Sequence, residues 1–317
     1  MTPADAPGRA SKRRIVAFSS LLVGCAILSG CTTGSTNVVS SNQPFPGSTD
    51  APSSLNLPEQ NIQQWVMPLD QYTQGSTRMF DYAQNLLVEP CMEKAGFTWS
   101  VPWQDPNGTD GPSWNEADVR ITSLDLAKQW GYRLAPATDS SLASWITFSN
   151  EKANIGPSEE AALTTCVVAS RKTLPVLPGS AQLASGYALA AWEGAQKDAP
   201  VVAAASKWHT CMLSAGVSDL PMNPQDMPSP SLRKQFNITL SISPVPPTVS
   251  NAEIAMATED QNCRMSSNYS TALYKAEWDR QAKLVAQNAD ALQRVKATLA
   301  AQAAEISKVI SSHAPSH

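Results

Sequence analysis

The chain has 317 residues, room for one large or two ordinary domains, with 42% apolar and 16% charged side chains. That balance excludes a disordered polyelectrolyte and predicts a packed core. A formal charge of −4 excludes the basic footprint of a nucleic-acid binder.

The first thirty residues stand apart from the rest. Lys12-Arg13-Arg14 is a basic n-region, and Ile15 to Leu28 is an apolar h-region of secretory length. Leu28-Ser29-Gly30-Cys31 then reads as a lipobox. Residues 1–30 are therefore expected to be a lipoprotein signal peptide, with Cys31 taking the lipid. Arg13-Arg14 raises twin-arginine export, although the flanks fit that pattern poorly. Arg9, Lys12, Arg13, Arg14 and Asp5 leave with the leader, which takes the formal charge from −4 to −7. The expected location is the outer face of the cytoplasmic membrane. Residues 31–57 are rich in Ser, Thr, Asn and Pro, with Asp50 the only charge. They read as a flexible tether with a reach of roughly 30 Å.

Trp65 to Tyr72 reads as an extended or turn segment that could pack on the first helical unit. A helix follows near Thr73 to Ala95, bent at Pro90. Thr98 to Asn115 is a long loop, and Leu124 to Trp130 a short helix ended by Gly131 and Tyr132. Gly156-Pro157-Ser158-Glu159-Glu160 opens a helix that carries Cys166 and runs to about Thr173. Another helix lies between Ser180 and Lys197, and Pro200 suits the first turn of the one that carries Cys211. Met222 to Pro247 is irregular, with one short strand at Asn237 to Ile242 suggested by alternating Ile238, Leu240 and Ile242. Ser250 and Glu253 have capping-box spacing, and helix is expected from there almost to the end, broken near Ser266-Ser267-Asn268. Trp278, Val285, Leu292, Leu299 and Ile306 recur every seventh residue. Tyr274, Gln281, Asn288 and Gln302 weaken the second seam. This predicts packing as far as about Ala291 and a projecting helix beyond Leu292.

A short repeat organises these elements. Cys91-Met92-Glu93-Lys94-Ala95-Gly96-Phe97 returns as Cys211-Met212-Leu213-Ser214-Ala215-Gly216-Val217. Glycine five residues after the cysteine, followed by an apolar residue, is a helix-ending signal. Each cysteine should thus lie about one turn before a helix C-terminus. Once Cys25 has left with the leader and Cys31 has taken the lipid, four cysteines remain, an even number for an oxidising compartment. Of the three connectivities, the repeat favours Cys91–Cys166 and Cys211–Cys263. The chain-entropy model gives each closed loop on the order of 4 kcal/mol. The expected fold is all-α: two disulfide-stapled helical units with long irregular loops and a long C-terminal helix. Residues 58–265 form the helical domain, 266–312 the long helix and 313–317 a tail.

The pattern resembles a family of actinobacterial cell-envelope lipoproteins. The residues that carry the likeness are Trp65 to Tyr72, Cys91-Met92 with Gly96-Phe97, and Ala127-Lys128-Gln129-Trp130-Gly131-Tyr132. Trp208, Cys211-Met212 and Gly216, then Ala255 to Cys263-Arg264 and the tail from Tyr274, complete it. The resemblance implies location and fold and no reaction.

Chemistry-bearing patterns are sparse. Two of the three histidines, His313 and His317, lie in the tail, and no nucleophile elbow, zinc-binding pair or phosphate loop stands out. A carboxylate pair distant in sequence stays open. His209-Thr210-Cys211-Met212 could hold a soft metal, but a disulfide at Cys211 is the simpler reading. Asp105, Asn107, Thr109 and Glu116 echo a calcium loop, yet Asp110 stands where glycine is needed. No metal and no cofactor are expected. Trp99, Trp103 and Trp114 could form a platform for a sugar, although capping of the stapled core is the favoured reading. The sequence thus points to a non-enzymatic, membrane-anchored binding or scaffold protein of the cell envelope. Its partner would be another envelope protein or, through the tryptophan loop, cell-wall peptidoglycan.

Overall fold

The computed structural model describes residues 57–73, 77–108, 123–134, 139–238 and 248–315. Cys31, the leader, nearly all of the tether, Trp114, and Leu240 and Ile242 of the suggested strand lie outside them. The described residues form ten α-helices and no strand, only an isolated bridge between Asn61 and Val66.

Local signals set most boundaries. Helix α1 is Thr77–Lys94, with Pro90 inside it. Gly96 follows at φ +87°, and the Phe97 N–H returns to the Met92 carbonyl at 3.0 Å, closing the last turn as the repeat predicts. Helix α2 is Leu124–Trp130, capped by the Ser123 hydroxyl. Helix α3 is Ser140–Lys152, capped by Asp139, which accepts from the Ser141 N–H. Helix α4, Pro157–Ser170, carries Cys166. Helix α5 is Leu183–Ala195, and α6, Ala199–Met212, has proline in its first turn and carries Cys211. A single 3-10 turn then leads to Gly216 at φ +70°. Helix α7 is the short Pro230–Gln235. Helices α8, Asn251–Ser266, α9, Tyr269–Gln287, and α10, Ala289–His313, complete the chain.

The staples are Cys91–Cys166, which joins α1 to α4, and Cys211–Cys263, which joins α6 to α8. Each anchors an apolar cluster. Tyr82, Leu86, Met92, Trp99, Phe148 and Leu174 surround the first. Trp208, Met212, Ala127, Tyr132, Leu232 and Ala257 surround the second. The two stapled pairs are not consecutive blocks of sequence. Helix α2 precedes the second pair by seventy residues yet packs on α8. The contact is close because α2 ends in glycine: a Cβ on Gly131, at φ +59°, would lie 2.9 Å from Glu253 Cγ and Oε1.

Four sequence expectations are corrected. Helix α3 was not expected; its Ser-rich start hid an apolar face of Leu142, Trp145 and Phe148, the last two of which stack 5.5 Å apart. Helix α7 likewise interrupts a stretch expected to be irregular, and Asn237, at φ 50°, begins no strand. The C-terminal region breaks near Asn268 as expected, but it breaks again at Asn288, and α10 does not project. It runs back along α1, where Val309 and Ile310 are buried among Tyr82, Leu86 and Met92. Finally, the Trp65–Tyr72 segment packs on α9 and the start of α10, not on the first stapled pair. The supposedly weak seam holds it there: Tyr274 donates its hydroxyl to the Val66 carbonyl at 2.8 Å, and the Leu69 N–H donates to Gln281 Oε1 at 3.1 Å.

Candidate functional site

Helices α8 and α9 meet at an angle because Asn268 takes a left-handed conformation, φ 60°, that its short polar side chain tolerates. The residues just before and after that corner face the strap formed by residues 61–72. Between them lies a cleft of about 300 Å3. Gln261, Arg264 and Met265 of α8 form one side. Asn268, Ser270 and Thr271 form the corner. Ile62, Gln63 and Trp65 close the third side.

The strap is fixed firmly enough to make this a preformed wall. Trp65 sits at φ 48°, an uncommon conformation for a bulky residue. Its indole N–H donates to Glu277 Oε2 at 3.0 Å, and Gln281 Nε2 donates to the other Glu277 oxygen at 3.0 Å. The Trp65 ring meets Tyr274 edge-on at 5.3 Å. With its N–H engaged, Trp65 offers the cleft only apolar ring.

The opposite wall is tied into a buried charge network. Arg264 is 4% exposed and donates from Nε to Asp260 Oδ1 at 2.8 Å. Its Nη2 donates to Asp260 Oδ2 at 3.2 Å and to the Pro224 carbonyl. Trp208 Nε1 donates to the same Asp260 Oδ1 at 2.8 Å, so one carboxylate ties α6 to α8 beside the second staple. Arg264 therefore presents a neutralised pair to the cleft, not a free cation. Gln261 is different. It is 3% exposed, its Oε1 has neither solvent nor partner, and its amide joins no hydrogen bond among the described residues. A buried amide left open in this way carries a desolvation cost of roughly 1–3 kcal/mol. It is the polar group in this wall that the fold does not use. No spacing motif marks Gln261, and its role emerges only from burial.

The same network perturbs Tyr132, whose hydroxyl lies 3.5 Å from the Met256 carbonyl. Burial first, and then the charge of Asp260, push the Tyr132 phenol well above the ordinary tyrosine range. A phenol harder to ionise when folded contributes stability that is intact below its unfolded value of about 10 and shrinks as pH rises beyond it. The melting temperature should therefore fall above pH ~10. Tyr132→Phe should flatten that fall, which alkaline thermal melts would check.

The residues singled out from sequence lie elsewhere. Trp99 is buried in the first cluster, edge-on to Phe148 at 5.8 Å, with its N–H donated to Asn85 Oδ1 at 3.1 Å. It caps the stapled core and offers no sugar platform, because its ring faces are covered by protein. Trp103 is half-buried on the same loop, and Trp114 lies outside the described residues. Asp105 Oδ1 accepts from the Asn107 N–H at 2.9 Å, a turn-forming bond. The ligand atoms of Cys211, Glu259 and Cys263 lie within 4.8 Å of one another, but both sulfurs are in the second disulfide and offer no thiolate. No described helix is long and apolar enough to cross a membrane.

No protein-family model matches the chain, and searches of curated proteins and of solved structures found no match.

Proposed function

We propose that this is a lipid-anchored extracytoplasmic protein that acts by binding rather than catalysis, with the α8–α9 cleft as its contact site. The observation that carries the reading is the use of its buried charges. Arg78 pairs with Asp139 at 2.7 Å, Arg133 with Glu253 at 3.1 Å and Arg264 with Asp260 at 2.8 Å. The first two pairs hold one element against another, and the third lies within α8 and is tied to α6 by Trp208 and to the Pro224 carbonyl, whereas Gln261, in the cleft wall, joins no hydrogen bond among the described residues. Two disulfides in a chain of this size suit an oxidising compartment, which agrees with the lipobox at Cys31 and with the envelope lipoproteins the sequence resembles.

Metabolic labelling with a clickable fatty acid, followed by membrane fractionation, tests the anchor. The full chain should carry the label and sediment with membranes. Cys31→Ala should lose the label entirely and accumulate as an unprocessed or released form. Equal labelling of the two would overturn the reading.

A further inference from the structure

We propose that the second staple is a latent zinc site: once a thiol reductant opens the Cys211–Cys263 disulfide, the two sulfurs and the Glu259 carboxylate close on a zinc ion. The inference depends neither on the α8–α9 cleft nor on the lipid anchor.

Glu259 and Cys263 are four residues apart on α8 and therefore share a face of that helix. Cys211 reaches the same face from the last turn of α6. One ligand atom from each of the three lies within 4.8 Å of the other two. Among the described residues no other three metal-ligating side chains come together in this way, so the Cys91–Cys166 staple has no third ligand beside it. Cys263 is buried, Cys211 half-buried and Glu259 exposed. The set is thus closed on the protein side and open outward, where a reductant meets the Cys211 sulfur and an ion enters.

Opening the staple does not release the two helices from each other. Trp208, one turn before Cys211, donates its indole N–H to Asp260, the neighbour of Glu259, at 2.8 Å. Trp208 and Met212 of α6 also share an apolar cluster with Ala257 of α8. These contacts keep the two cysteine backbones near their present Cα separation of 5.7 Å. From there the sulfurs need only part far enough to span an ion with Zn–S bonds of about 2.3 Å.

The chemistry balances with an external thiol pair as reductant. Its two electrons break the S–S bond, its two protons go to the freed sulfurs, and it leaves as a disulfide. Zinc then takes the place of one proton on each cysteine, and both protons pass to solvent. Glu259 supplies an oxygen as the third ligand and water fills the fourth position, the open arrangement of zinc sites with an exchangeable ligand. Two thiolates select zinc over magnesium or calcium, which favour all-oxygen shells.

The test uses the full chain in detergent, treated with a thiol reductant, exchanged without air into buffer with one equivalent of zinc, then alkylated and mapped by mass spectrometry. Cys211 and Cys91 are both half-buried, so they make a matched pair. Zinc should shield Cys211 and leave Cys91 open to alkylation, and magnesium should shield neither. In Glu259→Gln the zinc concentration that half-protects Cys211 should rise by about tenfold or more, since even an outer-shell change costs that much. The reduced chain should keep its helical circular dichroism. Loss of that signal, equal shielding of the two cysteines, shielding of neither, shielding by magnesium, or an unchanged half-protecting concentration in Glu259→Gln would each overturn the proposal.

Discussion

Ending the chain at Asn288 is expected to abolish cooperative folding at room temperature. The deletion removes α10 and with it Leu292, Val295, Val309 and Ile310, all at most 7% exposed. At roughly 1.5–3 kcal/mol for each buried aliphatic side chain, the loss is roughly 6–12 kcal/mol. Domains of this kind retain only about 5–15 kcal/mol in total. The damage is concentrated where α10 crosses α1, since Tyr82, Leu86 and Met92 lose their cover there. The Cys91–Cys166 staple would still tether α1 to α4, but a tether does not replace a removed core face. The truncated protein should show no sharp thermal transition and should expose apolar surface to a hydrophobic dye. Leu292→Ala is the milder version, with an expected cost of about 2–5 kcal/mol. A truncated chain that melts like the parent would mean that α10 is a free arm.

That outcome bears on what can be read from the sequence. The staples, the α1 and α6 ends and the caps at Ser123 and Ser250 are local features, and the repeat and turn chemistry spell them out. The destination of α10 is not local. Its heptad line was visible, but a stripe of Leu, Val and Ile says only that something covers it. The break at Asn288, whose side-chain Nδ2 bonds back to the Leu284 carbonyl at 2.9 Å, turns the helix onto α1, and no proline or glycine announces it. The seam residues misled for a related reason. Gln281 and Tyr274 look like poor packing positions, yet both are buried, because the strap brings backbone groups for them to bond. Trp99 was legible as a core cap. The cleft was not: it is made by residues about two hundred apart in sequence, and Gln261 differs from an ordinary helical glutamine only in its burial, at 3% exposure.

The second large effect is expected at Asp260. Its carboxylate is fully buried and serves Arg264 and Trp208 together. Asp260→Ala leaves the guanidinium of Arg264 in the interior with the Pro224 carbonyl as its one hydrogen-bond partner among the described residues, and takes the carboxylate away from the Trp208 indole N–H. Stranding a buried charge costs about 3–5 kcal/mol. The cost is not the worth of the ion pair itself, because removing both charges also removes the need to solvate them. Asp260→Leu combined with Arg264→Met should therefore recover more than half of the loss, short of full recovery by what Trp208 and Pro224 give up. Urea unfolding of the parent, the single and the double variants measures this directly. The denaturation midpoint should fall steeply in Asp260→Ala and return most of the way in the double variant. A single variant within about 1 kcal/mol of the parent would mean that water reaches Arg264 through the cleft, and that the wall carrying Gln261 is wetter than its burial implies.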